Sequence, residues 1–213
     1  MKNSIQSCAV LSCLLTGAAA FGQSTLPTCS DTGIRTECFG VATPASGGNY
    51  VGEFKDDNYS GQGSLTFASG NQYIGEFKAG KRNGQGTSLY LAKGRFKGDK
   101  YVGEYKDDMR NGRGAFFFLA EGKSKGSIYV GEWKNGKRNG LGVATLANGE
   151  SYIGEFMNEK FNGQGTKTNA DSSQYVGEFK DGKYDGHGTL TFTSGKTSKQ
   201  GIWADGKYVA ENN

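Results

Sequence analysis

From residue 50 onward the chain repeats one pattern of apolar and polar positions. The first copy reads Tyr50-Val51-Gly52-Glu53-Phe54, a polar stretch of six residues, then Gly61-Gln62-Gly63-Ser64-Leu65-Thr66-Phe67. Alternation at period two, bounded by Gly, Asn and Asp, is the pattern of β-strands, so each copy predicts strand, turn, strand. Copies begin at Tyr50, Tyr73, Tyr101, Tyr129, Tyr152 and Tyr175, at intervals of 23, 28, 28, 23 and 23 residues. A fixed period of this length makes each copy one supersecondary unit whose exposed apolar face is covered by its neighbours. The predicted fold is all-β, a single layer of antiparallel hairpins over residues 50–198.

Pairing across a six-residue loop sets Phe54 opposite Gly61, Gly52 opposite Gly63 and Tyr50 opposite Leu65, all on one face. The return to the next copy then sets Gly63 beside Phe77 and Leu65 beside Gly75. Rings over glycines restore the packing that glycine removes from a strand. The reverse face carries one Glu per copy, expected across from Gln62, Gln85, Arg113, Leu141, Gln164 and His187 and paired with all of these side chains except Leu141.

Composition sharpens this reading. Leu, Ile, Val and Phe make up less than a fifth of the chain, too little for a large globular core. Disorder is excluded by the regular recurrence of 36 glycines and the aromatics at fixed spacing. Residues 1–22 have one cation at Lys2, an apolar stretch from Ala9 to Leu15, and small residues Gly17 to Ala20, the pattern of a secretory signal peptide cleaved after Ala20 or Gly22. The alternatives are a retained anchor, for which the apolar run is short, and a lipid-modified Cys13. Cleavage lowers the net charge from +4 to +3, which by itself selects no nucleic acid or membrane partner. It also leaves Cys29 and Cys38, read as one disulfide in an oxidising space, with two free thiols as the alternative. The chain is therefore expected to be exported, to the periplasm or the cell surface.

Departures from the repeat mark its ends and its odd members. Residues 23–37 precede the pattern as a cap segment, and residues 38–49 read as the second strand of a leading half-copy. Residues 199–213 match the first half of a unit, with Lys199 in the tyrosine position. Lys167 and Asn169 interrupt the apolar stripe in the fifth copy, where it should be weakest. Two returns, Leu91 to Lys100 and Leu119 to Ile128, are longer than the rest and hold Lys93, Arg95, Lys97, Lys100, Lys123 and Lys125 against Asp99 and Glu121. These six cations are the candidate contacts for a partner or an anionic lipid surface.

The unit Tyr-Val-Gly-Glu-Phe-Lys-Asp-Gly-Lys…Asn-Gly-x-Gly resembles the MORN repeat, and copies and half-copies cover residues 38–207. The resemblance implies a long twisted single-layer sheet with a shallow groove lined by aromatics. The pair Cys29 and Cys38 just before the first full copy resembles exported bacterial versions of the array. The implied function is a non-catalytic scaffold binding a protein partner, itself or envelope glycans, with an anionic membrane module as the alternative. Repeat similarity alone sometimes suggests a phosphoinositide kinase, but the chain has no phosphate loop, no acidic metal cluster and no room for a kinase domain. A Glu at the same position of every hairpin reads as a structural device rather than an acid-base pair, and His187 as a cross-strand polar partner. A glycan hydrolase using two of these carboxylates is the remaining enzymatic possibility. No catalytic residue, metal, cofactor or nucleic acid is expected.

Overall fold

The computed structural model describes residues 24–193 and 198–211. The signal-peptide reading of residues 1–22 lies outside them. Fifteen strands form one sheet in strict sequence order, every neighbour antiparallel. They are β1 (Cys38–Ala42), β2 (Gly48–Lys55), β3 (Asn58–Phe67), β4 (Gln72–Lys78), β5 (Lys81–Leu89), β6 (Lys100–Lys106), β7 (Met109–Phe117) and β8 (Ile128–Lys134). The second half contains β9 (Lys137–Thr145), β10 (Ser151–Met157), β11 (Lys160–Thr168), β12 (Gln174–Lys180), β13 (Lys183–Thr191), β14 (Lys199–Ala204) and β15 (Lys207–Glu211). The terminal segment is thus a whole hairpin rather than a half-copy.

The hairpin loops hold two residues, not six. Asp56-Asp57, Ala79-Gly80, Asp107-Asp108, Asn135-Gly136, Asn158-Glu159, Asp181-Gly182 and Asp205-Gly206 all have positive φ at both positions, the turn geometry that matches strand twist. Tyr50 does face Leu65, and Gly52 does face Gly63, but Phe54 faces Tyr59 because a bulge intervenes. The first glycine of each Gly-x-Gly sits at that bulge; Gly61 has φ +57°. Between hairpins the pairs are Gly61 with Phe77, Gly63 with Gly75 and Leu65 with Tyr73, two residues away from the expected register.

The repeated residues satisfy this bulge. Each tyrosine hydroxyl donates to the carbonyl of the Glu three residues later, from Tyr50 to Glu53 at 2.8 Å through Tyr175 to Glu178 at 3.1 Å. On the reverse side the carboxylates of Glu76, Glu104, Glu155 and Glu178 accept the backbone N–H of Gln85, Arg113, Gln164 and His187 at 2.8–3.1 Å. The expected side-chain pairs are therefore carboxylate-to-backbone bonds within the hairpin. In register, Gln62 faces Glu76 of the next hairpin, and Gln85 faces Glu104. The Tyr ring lies against the second glycine: a Cβ on Gly63 would meet the Tyr50 ring at 2.6–2.7 Å.

The core is one face of the sheet. All six tyrosines have no exposed surface. Each meets the terminal ring of its own unit and that of the next edge to face, as Tyr101 does with Tyr105 at 5.2 Å and Trp133 at 5.3 Å. A third group covers the tyrosine from the return strand. In the outer hairpins it is a stacked ring, Tyr59 on Tyr50, Phe161 on Tyr152 and Tyr184 on Tyr175, at 3.8–3.9 Å. In the central hairpins it is a guanidinium, Arg82, Arg110 or Arg138, 5.5–5.7 Å from the ring centre. Lys167, expected to weaken the stripe, pairs with Glu150 at 3.1 Å.

The covering group is coupled to the next turn. Its carbonyl accepts the N–H of the second turn residue one hairpin later, Gly80 from Tyr59 or Asp108 from Arg82. That turn residue is glycine after every ring; after the guanidiniums it is Asp108, bound by Arg82 at 3.1 Å, Glu159, bound by Arg138 at 2.7 Å, or Gly136, whose carbonyl accepts from Arg110 at 2.8 Å. Replacing Arg138 by Tyr alone leaves Glu159 at φ +78° without its ion pair and should cost about 1 kcal/mol. Adding Glu159→Gly should recover most of that loss. Chemical denaturation of the two single variants and the double variant measures the coupling, and simple additivity would refute it.

Burial pushes the tyrosine hydroxyls up, with the neighbouring Glu adding to the effect; Tyr152 and Tyr175 reach about 12. The folded state then holds these protons more tightly than the unfolded chain, whose tyrosines ionise near pH 10. The resulting stability is complete below pH 10 and is lost as pH rises through 12. A spectrophotometric titration should show these phenols ionising only with unfolding, and reversible ionisation near pH 10 in the native protein would contradict it.

Candidate functional site

The rings are too deeply buried to line a groove: the terminal aromatics from Phe54 to Trp203 are 3–5% exposed. The concavity lies on the opposite face and is aliphatic. A trough of about 800 Å³ crosses the strands from β5 to β10. Val130, Leu141, Val143 and Ile153 line it, with the glycine backbone of Gly103, Gly114, Gly131, Gly142 and Gly154 between them. Gln85, Glu104, Arg113 and Glu132 complete its lining.

The lattice explains why the trough is central. One reverse-face row reads Ser64, Ile74, Thr87, Val102, Ala115, Val130, Val143, Ile153, Thr166, Val176 and Thr189, each residue paired with the next. Hydroxyls alternate with aliphatics at both ends, but the row members on five consecutive strands, β6 to β10, are all apolar; Ala115 is fully buried, and Val130, Val143 and Ile153 line the trough. The adjoining row holds Gln62, Gln85, Arg113, Gln164 and His187 where the fourth hairpin has Leu141, which is 62% exposed. A contiguous apolar patch of this kind marks an interaction site more often than chance exposure. Its sequence signal was present at Leu141, the one apolar member of the row.

The basic returns form a second feature on the edge away from the turns. They span residues 90–99 and 118–127, so Lys100 falls inside β6, opposite Leu89 and Phe117, apart from the other five cations. Lys93, Arg95, Lys97, Lys123 and Lys125 are exposed on adjacent returns, and Lys125 pairs with Glu121. The buried Asp99 carboxylate joins the returns by accepting the N–H groups of Leu119 and Ala120, both at 2.7 Å. Leu91, Phe96 and Leu119, each 46–49% exposed, stand among the cations. These apolar members were not singled out by charge.

Cys29 and Cys38 are bonded to each other. Among the described residues no group of three or more His, Cys, Asp or Glu could hold a metal, and no helix is long and apolar enough to cross a membrane. The carboxylates of Glu76, Glu104, Glu155 and Glu178 are engaged with bulge amides, and that of Glu53 accepts the Ser24 hydroxyl.

The MORN repeat model matches residues 50–72, 73–90, 101–118, 129–151, 152–174 and 175–197, beginning at the same six tyrosines. The chain belongs to the MORN repeat family. MORN repeats are typically protein- or membrane-interaction repeats, and the family is a non-enzymatic one. Comparison with curated proteins finds no match. Among solved structures, the MORN array here is similar to the SAS-4 (dCPAP) TCP domain in complex with a proline-rich motif of Ana2 (dSTIL) of Drosophila melanogaster. That likeness covers 80% of this chain and 82% of that chain, at 13% identity and a TM-score of 0.38.

Proposed function

We propose that this MORN array is a non-catalytic scaffold that, after export, holds a protein partner on the reverse face of its sheet. The observation that carries the reading is the trough around Leu141, Val143 and Ile153, an exposed apolar surface in a fold whose repeated Tyr and terminal rings are buried. An envelope glycan is a weaker candidate, because the aromatic faces that would stack on sugar rings are covered. Export is supported by Lys2, the apolar stretch Ala9 to Leu15 and the small residues before Ala20, together with the disulfide. Cell fractionation and N-terminal sequencing check it: a mature start at Phe21 or Gln23 is expected, and an intact cytoplasmic chain would refute export. A photo-crosslinker at Ile153 should capture a discrete partner in native envelopes, whereas one at Lys81 on the turn edge should not. Equal or absent capture at both positions would remove the support for the scaffold.

A second reading, anionic membrane binding, is favoured by the grouping of Leu91, Phe96 and Leu119 with five cations. Each well-placed cation contributes about 1 kcal/mol toward an anionic surface, falling with salt, and the apolar tips add burial. Flotation with phosphatidylserine vesicles should be lost when Lys93, Arg95, Lys97, Lys123 and Lys125 become Ser. Equal binding by both proteins would exclude these returns, and no binding by either would exclude the reading.

A further inference from the structure

We infer that the trough seats an amphipathic α-helix of the partner, lying across the strands, apolar along one stripe and basic on the flank that faces Glu104, Glu132 and Glu155. The inference rests on the protein-binding function proposed above and narrows it to one class of segment.

The first argument is spacing. The row offers the trough one residue per strand at Val130, Val143 and Ile153, on three consecutive strands, and strands in a sheet lie about 4.8 Å apart. A helix returns to the same face every 3.5 residues on average, about 5.2 Å along its axis. The two periods diverge by only about 0.8 Å over these two intervals, within the adaptability of side chains. An extended segment presents the same face every 6.6 Å or so and drifts by about 4 Å over that distance. The row is therefore nearly in step with two turns of a helix and out of step with a strand laid across it.

The second argument is charge. Glu104 and Glu132 line the trough and Glu155 stands beside Leu141 in register, with Arg113 the only cation among the lining residues. Two lining carboxylates against one guanidinium, with Glu155 beside the trough, favour a basic flank on the occupant. Shape and charge together describe a helix with Leu-like residues at helical spacing and Lys or Arg along one side.

The lattice itself supplies variants that keep the fold. Gln occupies the Leu141 position at residues 62, 85 and 164, and Thr occupies the Val143 position at residues 87, 166 and 189. Leu141→Gln with Val143→Thr should therefore fold like the parent while losing the patch. The probe is a labelled 18-residue Leu/Lys peptide patterned at helical period, compared with the same residues permuted to period two. At physiological ionic strength, anisotropy should show the helical peptide binding more tightly than the permuted one, and the double variant weakening it at least tenfold. Equal or tighter binding of the permuted peptide, unchanged binding by the double variant, or no binding of either peptide would overturn the helix. If capture at Ile153 persisted in any of those cases, the scaffold function would stand with a different class of partner. Sedimentation of the protein alone covers the remaining occupant: a dimer that the double variant dissociates would assign the trough to a second copy and overturn the inference.

Discussion

Gly131→Ala should lower the stability of the array by about 3 kcal/mol, the top of the usual range for an added methyl in a packed interior. The new Cβ would stand 2.5 Å from the Cα of Gly142, 2.5 Å from the Tyr129 hydroxyl oxygen and 2.6 Å from the Leu141 carbonyl oxygen. Two of those three are backbone atoms of β9, which cannot retreat without breaking the ladder that β9 makes with both neighbours. The tyrosine cannot retreat either, because its ring is fully buried and its hydroxyl donates to the Glu132 carbonyl at 2.9 Å. Gly131 lies outside the left-handed backbone region, so the cost is steric rather than conformational. Gly136, at the turn of the same hairpin, provides the contrast: nothing stands within 4 Å of its Cβ position, but φ is +81°. Gly136→Ala should therefore cost about 1 kcal/mol, the price of a left-handed alanine. Because each hairpin touches only its neighbours, damage at Gly131 should also be local, lowering amide protection in β7 to β10 more than in β2 to β4 or β12 to β14. Urea denaturation with hydrogen exchange measures both effects. A wild-type midpoint for Gly131→Ala would mean that the close approach of β8 and β9 does not constrain the fold.

The same glycines show what could be read from the sequence. Period two and the six tyrosines were sufficient for a single antiparallel sheet in chain order, and for the pairing of Tyr50 with Leu65 and Gly52 with Gly63. Counting outward from that pair failed at Phe54, because the bulge adds two residues to the return strand without changing its alternation. The missed signal was the turn chemistry: Asn135-Gly136, Asp181-Gly182 and Asp205-Gly206 are two-residue hairpin dipeptides, and accepting them forces two extra residues onto Gly61, Gln62 and their equivalents. The role of the repeated Glu was misread for the same reason, since its partner is an amide exposed by the bulge rather than the side chain opposite. The trough was legible only in part. Val143, Ile153 and Leu141 are visibly apolar on the solvent side of their strands, but which face becomes concave depends on sheet curvature, which alternation does not encode. In the returns, charge identified five exposed cations, whereas Lys100 belongs to a strand because the register begins one residue earlier than the loop count implied.

Breaking the Cys29–Cys38 bond should cost roughly 2–3 kcal/mol by the loop-closure argument for a nine-residue separation, and all of the loss should fall at the first end of the sheet. Residues 24–37 carry no repeat pattern, yet they occupy the place of a preceding hairpin. Cys29 donates its N–H to the Phe39 carbonyl and Phe39 donates to the Pro27 carbonyl, both at 2.8 Å, so this segment pairs with the outer edge of β1. Arg35 supplies the remaining contacts of a covering residue. Its guanidinium lies 5.1 Å from the centre of the Phe54 ring, its N–H donates to the Asp57 carboxylate, and its carbonyl accepts the Asp57 N–H. It thereby repeats the relation of Arg82 to Asp108. The disulfide fastens this substitute hairpin, with Cys38 buried against the start of the ring column. Cys29→Ser with Cys38→Ser should release the segment, raise exchange in β1 and β2, and leave β12 to β14 unchanged. An uncovered β1 would then offer unpaired backbone groups to other chains, so the variant should self-associate as concentration rises while the oxidised parent does not. Arg35→Ala separates the two contributions: it removes the covering contact but keeps the tether, and should cost only about 1 kcal/mol without self-association. Uniform loss of protection along the array, or unchanged protection in β1 and β2, would show that the bond does not act by holding this cap.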